Sequence, residues 1–454
     1  MAIAVVILIL VIATLVFHFV SPLYGWWFTD IASNWDMIDT TVDITFIVTG
    51  IVFLAVNFFL VYCVLKFRHK EGSRAQYDPE NKKLETWLTV ITSIGVAAML
   101  APGLVVWGQF VTVPDNAAEV EAVGQQWHWS YRFPGEDGQF GNADITFVTV
   151  DNPFGLDADD PAGRDDVLVF DQTVHLPINQ PTKVLLRSKD VLHDFAVAQF
   201  RVKMDLVPGM VTYAWFEPTR VGRYELLCEE LCGIGHFAMR GAVVIDERDD
   251  FETWYAAQPT FGELIARPEP NLTAGQAGYA VCSACHGPQG QGQQALNAPK
   301  LAGLDAWYIE RQLALFKDGA RGTAEGDTFG ATMAPMMATV PDRNAMRNIA
   351  AYIESLPDEP AGPTVSGDVD RGAELFMTCA GCHGANGEGI WSTNAPRLAG
   401  TSDWYLVTQL NNFKARIRGA HGGDIYGAQM ALLSDMLPDE QAVNDVVAYI
   451  NTLQ

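Results

Sequence analysis

Positive charge is scarce in this chain: 29 Lys and Arg stand against 54 Asp and Glu, for a formal net charge of −25 over 454 residues. Such a surface repels phosphate backbones, which argues against nucleic acid and leaves two readings open, a basic partner protein or simply a well-solvated acidic surface. Lys and Arg are missing altogether from residues 1–65 and again from residues 84–131. Cysteine is sparse as well. Of the seven, six fall into three short clusters, at 228 and 232, 282 and 285, and 379 and 382, and Cys63 stands alone in an apolar run. That grouping argues against a disulfide framework and for bound groups.

The stretches without basic residues coincide with long apolar runs at residues 2–20, 44–65 and 87–110, the last interrupted by Pro102 and Gly103. Each is about the length that crosses a bilayer core of roughly 30 Å. The first run, within residues 1–24, reads as an uncleaved helix, or else a secretion signal; it has no basic n-region and no obvious small-residue cleavage site. Two further membrane helices are expected at 41–67 and 85–112. Between them, residues 68–84 hold Arg68, Lys70, Arg74, Lys82 and Lys83, with Lys66 just ahead. The positive-inside rule makes that loop cytoplasmic, so everything after residue 112 lies outside, in a bacterial periplasm facing the inner membrane.

CSACH at residues 282–286 and CAGCH at 379–383 are Cys-x-x-Cys-His motifs. In such a motif two thiols bond a haem covalently and the adjacent His is the proximal iron ligand, so Cys282, Cys285, His286, Cys379, Cys382 and His383 are assigned to two c-type haems. A shift of 97 residues lays Cys282 on Cys379, NAPKLAG on NAPRLAG, and Tyr352-Ile353 on Tyr449-Ile450, which marks a tandem duplication. Each copy opens with a small residue followed by an aromatic one turn later, Gly275 and Tyr279 or Gly372 and Phe376. Each closes with an apolar i, i+3, i+4, i+7 stripe, a helix able to cross the first closely at the glycine. Two all-α domains are expected, at 272–357 and 369–454, with linkers at 259–271 and 358–368 rich in Pro, Gly and acids. Met333 and Met430 occupy equivalent positions and are the expected sixth iron ligands, with Met336 and Met436 as alternatives.

Residues 113–258 contain short β-branched and aromatic runs such as TKVLLRS and GAVVIDE between Gly, Pro and Asp clusters, which predicts an antiparallel β-sandwich or barrel. Between its last two strands lies CEELCGIGHFAM, residues 228–239. Cys228, Cys232, His236 and Met239 form a soft donor set that suits copper; a zinc site would need one more ligand and no methionine. His193, following a strand, is the expected further nitrogen ligand, ahead of His175 and His128.

QQWHWSYRF, VLHDFAV followed by KMDLVPG, and CEELCGIGHFAM resemble, in order and spacing, the signature of subunit II of haem-copper cytochrome c oxidases. The resemblance covers roughly residues 41–250 and implies a cupredoxin-like domain with a binuclear CuA centre bridged by Cys228 and Cys232. It further implies terminal imidazoles from His193 and His236, and axial ligation by Met239 and the Glu230 carbonyl. The Glu230 carboxylate would hold a magnesium ion shared with subunit I. Trp127 would be where electrons enter, and Glu85 would stand at the mouth of a proton channel, although Trp87 and Thr92 depart from the family pattern there. The haem domains are similar to class I cytochromes c, in which a proline carbonyl orients the proximal imidazole; Pro299 and Pro396 are the candidates. The whole resembles a caa-type oxidase subunit carrying two cytochrome domains. It would take electrons from a cytochrome c or another periplasmic or membrane donor and pass them to a subunit I carrying haems and CuB, with subunit III alongside. His18 is the only histidine in an apolar run, so oxygen reduction belongs to subunit I. The alternatives are the CuA subunit of a nitric oxide reductase and a membrane-tethered shuttle serving several partners.

Overall fold

The computed structural model describes residues 2–25, 27–72, 74, 77 and 79–453. Residues 73, 75, 76 and 78 of the expected cytoplasmic loop lie outside the described residues. Among the described residues, three helices are long and apolar enough to cross a membrane: α1 (Ala2–Val20), α2 (Asp36–Lys66) and α3 (Lys82–Phe110). Their side chains are largely uncovered, as lipid-facing apolar residues would be. At 31 residues, α2 is about 46 Å long and outreaches the bilayer core. Its outer end carries Asp39 to the next domain, where Arg201 grips the carboxylate through Nε and Nη2, both at 2.7 Å. Trp35 Nε1 donates to the Trp215 carbonyl at 3.0 Å, and Trp215 Nε1 donates to the Gln109 carbonyl of α3 at 3.2 Å. These ties fix how the outer domain sits on the membrane helices.

That domain is a sandwich of ten strands: β1 (Ala118–Gln125), β2 (His128–Phe133), β3 (Val167–Val169), β4 (Thr173–Pro177), β5 (Thr182–Ser188), β6 (His193–Val197), β7 (Val202–Leu206), β8 (Val211–Phe216), β9 (Gly222–Leu227) and β10 (Arg240–Asp246). They form two five-stranded sheets, ordered β3-β2-β1-β5-β8 and β4-β10-β9-β6-β7. The β-sandwich expected from sequence forms, but it is not antiparallel throughout. β1 pairs parallel to β5, Val120 opposite Val184, and β10 pairs parallel to β4, Val243 opposite Val174. Short-range alternation identifies strands but carries no direction, and parallel partners far apart in sequence leave no turn signature. Buried Trp129, Tyr131, Phe195, Leu206 and Val243 fill the space between the sheets.

Helix α4 (Arg248–Ala256) follows. The stretch read as a linker at 259–271 instead begins with helix α5 (Phe261–Ile265), opened by a capping box between Thr260 and Glu263. Phe261 is fully buried against Leu168, Phe154 and Leu156, so the segment belongs to the sandwich. Three large apolar side chains, Phe261, Leu264 and Ile265, among Pro, Gly and acids were too short a pattern to reveal this.

The duplicated region has α6 (Leu272–His286), α7 (Ala306–Lys317), α8 (Thr328–Met333) and α9 (Arg343–Glu354), then α10 (Val369–His383), α11 (Asp403–Lys414), α12 (Ile425–Ser434) and α13 (Glu440–Ile450). In both copies the first and last helices cross at the expected glycine. A Cβ on Gly275 would meet the Asn348 carbonyl oxygen at 2.1 Å, and one on Gly372 the Asp445 carbonyl oxygen at 2.0 Å. The segment between the copies is pinned. Asp358 accepts from Lys300 at 2.5 Å and Arg397 at 2.9 Å, and Asp403 accepts from the Val365 amide at 2.7 Å.

Candidate metal centre and haem pockets

The loop joining the antiparallel neighbours β9 and β10 lies at one end of the sandwich, and it brings four side chains together. Cys228 Sγ lies 3.7 Å from Cys232 Sγ, so the thiols are adjacent without being joined. The Glu230 carbonyl oxygen stands 3.2 Å from Cys228 Sγ, and His193 Nδ1, at the start of β6, stands 4.0 Å from it. Cys232 Sγ meets His236 Nδ1 at 3.6 Å and Met239 Sδ at 3.9 Å. Gly124 on β1 makes room for the imidazole, since a Cβ there would be 3.1 Å from His193 Cδ2.

Two donors bonded to one metal at about 2.0–2.3 Å stand roughly 3–4 Å apart, which is the spacing seen here. Six donors exceed the four positions of a tetrahedral site, so the set fits two metals that share the thiolates better than one. Hydrogen bonding from the Cys232 thiol, against the cost of burial, brings the Cys228 thiol down to about 3, with His193 adding to the effect. The Cys232 thiol is pushed up by the same partner and by burial. Burial opposes charge on His193, yet the Asp190 carboxylate, 2.8 Å from Nε2, outweighs it and raises the imidazole's pKa. Asp190 also fixes the ring so that Nδ1 faces the thiols.

The competing histidines are elsewhere. His175 pairs with Asp246 at 2.6 Å and stacks on Trp254, with centroids 4.5 Å apart. His128 is buried and held down to about 3, by desolvation first and by Lys189 second. Trp127 is buried against the loop itself: Nε1 donates to the Cys232 carbonyl at 3.1 Å, and a Cβ on Gly235 would be 2.5 Å from its Cδ2. Glu85 is exposed in the first turn of α3.

Each Cys-x-x-Cys-His motif ends its helix with a buried imidazole. His286 Nδ1 donates to the Pro299 carbonyl at 2.8 Å and His383 Nδ1 to the Pro396 carbonyl at 2.7 Å, which leaves each Nε2 lone pair free for iron. Burial lowers the pKa of both rings, favouring the neutral form that ligates. The first motif lines an apolar cavity with Leu301, Leu313, Met333 and Met336. Met337 instead packs in the core, Met430 is half-buried, and Met436 is 51% exposed.

Sequence reading passed over two arginines, one of which, Arg321, lines this cavity. Arg321 and Arg418, equivalent in the repeat, are both buried, and their Nε atoms have no hydrogen-bond partner among the described residues. They cross between the copies through shared amides. Arg321 donates to Gln312 Oε1 at 2.6 Å, while Arg418 donates to Gln312 Oε1 and Gln409 Oε1, both at 2.8 Å. Buried cations call for anions, and haem brings two carboxylates, so the orphaned atoms fit that group. The 97-residue shift lays Arg321 on Arg418 and Gln312 on Gln409, a signal that was readable. Replacing Arg321 with Leu should lower the potential of one haem, by on the order of 60 mV if the ferrous form is disfavoured tenfold, measured by redox titration.

Residues 118–247 match the family model for the periplasmic domain of cytochrome c oxidase subunit II, and residues 272–357 and 369–454 each match the model for cytochrome c. The chain is 55% identical over 267 residues to the alternative cytochrome c oxidase subunit 2 of Bradyrhizobium diazoefficiens, covering 59% of this chain and 95% of that one. The chain belongs to the cytochrome c oxidase subunit 2 family. The subunit 2 of Cereibacter sphaeroides is 28% identical over 216 residues, 46% of this chain and 71% of its own. Among solved structures, the periplasmic domain of subunit II of cytochrome oxidase from Bradyrhizobium japonicum is 28% identical, with a TM-score of 0.24, over 32% of this chain and 95% of its own. Cytochrome c4 from Pseudomonas stutzeri is 30% identical, with a TM-score of 0.34, over 41% of this chain and all of its own. This subunit 2 is thus part of an oxidase, a membrane-anchored protein with periplasmic domains and an electron-transfer role. Its matches do not support the nitric oxide reductase alternative.

Proposed function

We propose that this subunit 2 is the electron-accepting subunit of a terminal oxidase of a bacterial inner membrane. In this reading it relays electrons from two covalent c-type haems to binuclear CuA and on to subunit I, where oxygen is reduced and protons are pumped. The observation that carries the proposal is the convergence of Cys228, Cys232, His193, His236, Met239 and the Glu230 carbonyl on one loop end. When bound there, two coppers sharing two thiolates would accept and release one electron with little change in geometry. The chain's residues hold that geometry: Asp190 orients His193, and the Trp127 indole and Gln126 amide both donate to the Cys232 carbonyl, at 3.1 and 2.8 Å, fixing the loop.

Cys282, Cys285 and His286, and Cys379, Cys382 and His383, would hold the haems, with Met333 and Met430 as sixth ligands. Glu230 is proposed to offer its carboxylate to a magnesium ion shared with subunit I, and Glu85 to stand at a proton-uptake mouth; the family resemblance supports both. Subunit III and a cytochrome c or similar donor complete the proposed assembly. Purified oxidase should contain two coppers in this chain, seen by elemental analysis and spin resonance, and two haems that stay with it on denaturing gels. One copper, or zinc, would overturn the copper reading.

Met333→His and Met430→His should each abolish the weak sulfur-to-iron charge-transfer band of one ferric haem and lower its potential, because nitrogen stabilises the ferric state more than thioether does. Unchanged spectra would transfer the role to Met336 or Met436.

A further inference from the structure

The two haem motifs, alike in sequence, stand in different surroundings. In the second copy, a Cβ on Gly381, between the two motif cysteines, would be 2.9 Å from Ile234 of the copper loop and 3.9 Å from Trp127 Cη2. Cys382 is buried in the same apolar cluster as Trp127, Cys228 and Cys232. Gln429 donates to the Trp127 carbonyl, Gln125 to the Ser392 carbonyl, and Asn394 Nδ2 lies 3.3 Å from His128 Nδ1. The indole therefore has the copper loop on one side and the second motif on the other, and only 5% of Trp127 is left exposed to an outside protein. In the first copy the equivalent face is open: Cys285 is exposed, Val281 is 43% exposed and Leu296 54%. That copy joins the assembly through its other side, where Arg311 donates to the Asn394 side chain at 3.0 Å and its carbonyl at 2.8 Å.

We propose that Trp127 is an internal relay between the Cys379–Cys382 face and the copper loop, and that the electron donor, a reduced haem protein, meets the open Cys285 face. Trp127 is then not where an outside donor arrives. The inference rests on the copper and haem assignments above and sets the order they left open. One electron crosses at each step, with no proton or group transferred. The donor's ferrous iron is oxidised to ferric, and the copper pair is reduced by one.

The test uses the complete detergent-purified oxidase, mixed anaerobically with a soluble ferrocytochrome c while the c-haem and copper absorption bands are followed separately. Copper should be reduced only after both c-type sites. Trp127→Phe should slow that last step at least tenfold while haem reduction keeps its rate. A Cys282→Ser/Cys285→Ser chain should leave copper unreduced by ferrocytochrome c yet reducible by ascorbate with a small mediator. With all centres oxidised, the copper spin signal should relax faster for as long as the Cys379–Cys382 site is loaded, whether or not the Cys282–Cys285 site is. Copper reduced before the haems, an unaltered rate in Trp127→Phe, or copper relaxation governed by the first site would each overturn the order. Metal and haem contents taken on the same samples separate that failure from failure of the site assignments.

Discussion

Cys228→Ser should yield a chain with both haems but no copper pair, and donor-driven turnover should fall below roughly 1% of the unmodified oxidase. Met239→Leu should keep both coppers with a shifted potential. The two side chains belong to one cluster but would do different work. Cys228 lies against Cys232, His193 and the Glu230 carbonyl at 3.7, 4.0 and 3.2 Å, so in the proposed centre its thiolate is shared by both metals. A serine hydroxyl there is a hard donor that stays protonated, and soft copper would lose a bridge it cannot replace. The Met239 side chain reaches the cluster through Sδ, 3.9 Å from Cys232 Sγ, and is otherwise a fully buried apolar side chain. Leucine fills nearly the same volume, and Leu-for-Met exchanges in cores cost under about 1.5 kcal/mol, so the loop should keep its shape. Elemental analysis and spin resonance of the two proteins decide the matter; equal loss of copper would mean that the roles are wrongly divided. Cys63→Ser, on the second membrane helix away from these sites, should change neither content.

What could be read from sequence was what chemistry or steric need writes locally. The Cys-x-x-Cys-His motifs, the soft donors of residues 228–239 and the crossing glycines Gly275 and Gly372 each announce themselves within a few residues. So do the membrane runs, whose length and lack of charge are imposed by the bilayer. What stayed hidden depends on residues that meet across the chain. The parallel pairing of β1 with β5 and of β4 with β10 follows from how the sandwich closes, which alternation along a strand does not encode. The seating of the second haem motif on Trp127 rests on Gln429, Gln125 and Asn394, ordinary amides whose partners lie more than two hundred residues away. The proposed haem order was unreadable for the same reason: the two copies differ less in sequence than in what they touch.

Gly372→Val should unfold the second haem domain under conditions that leave the first intact. Glycine inside a helix is ordinarily a weakness, and a larger residue there gains roughly 0.5–1 kcal/mol in backbone entropy. Here packing reverses the sign. A Cβ would stand 2.0 Å from the Asp445 carbonyl oxygen and 2.8 Å from Tyr449 Cβ, so α10 and α13 would have to separate. That opens the core of Phe376, Val443, Val446 and Leu406, and overpacking of this kind costs typically 1–3 kcal/mol, more when backbone is the obstacle. Valine adds its β-branch to the clash, so a net loss of about 3 kcal/mol is expected. Denaturant titration followed at the c-haem bands should then show two transitions, one moved to lower concentration and one unmoved. Gly362→Ala, where nothing lies within 4 Å of the added carbon, is the control and should move neither. As the second domain loosens it should also release Trp127, whose fluorescence would shift towards that of a solvated indole, and ferrocytochrome c should cease to reduce copper while ascorbate with a mediator still does. A single unshifted transition in Gly372→Val would show that the helices do not cross as closely as the geometry requires.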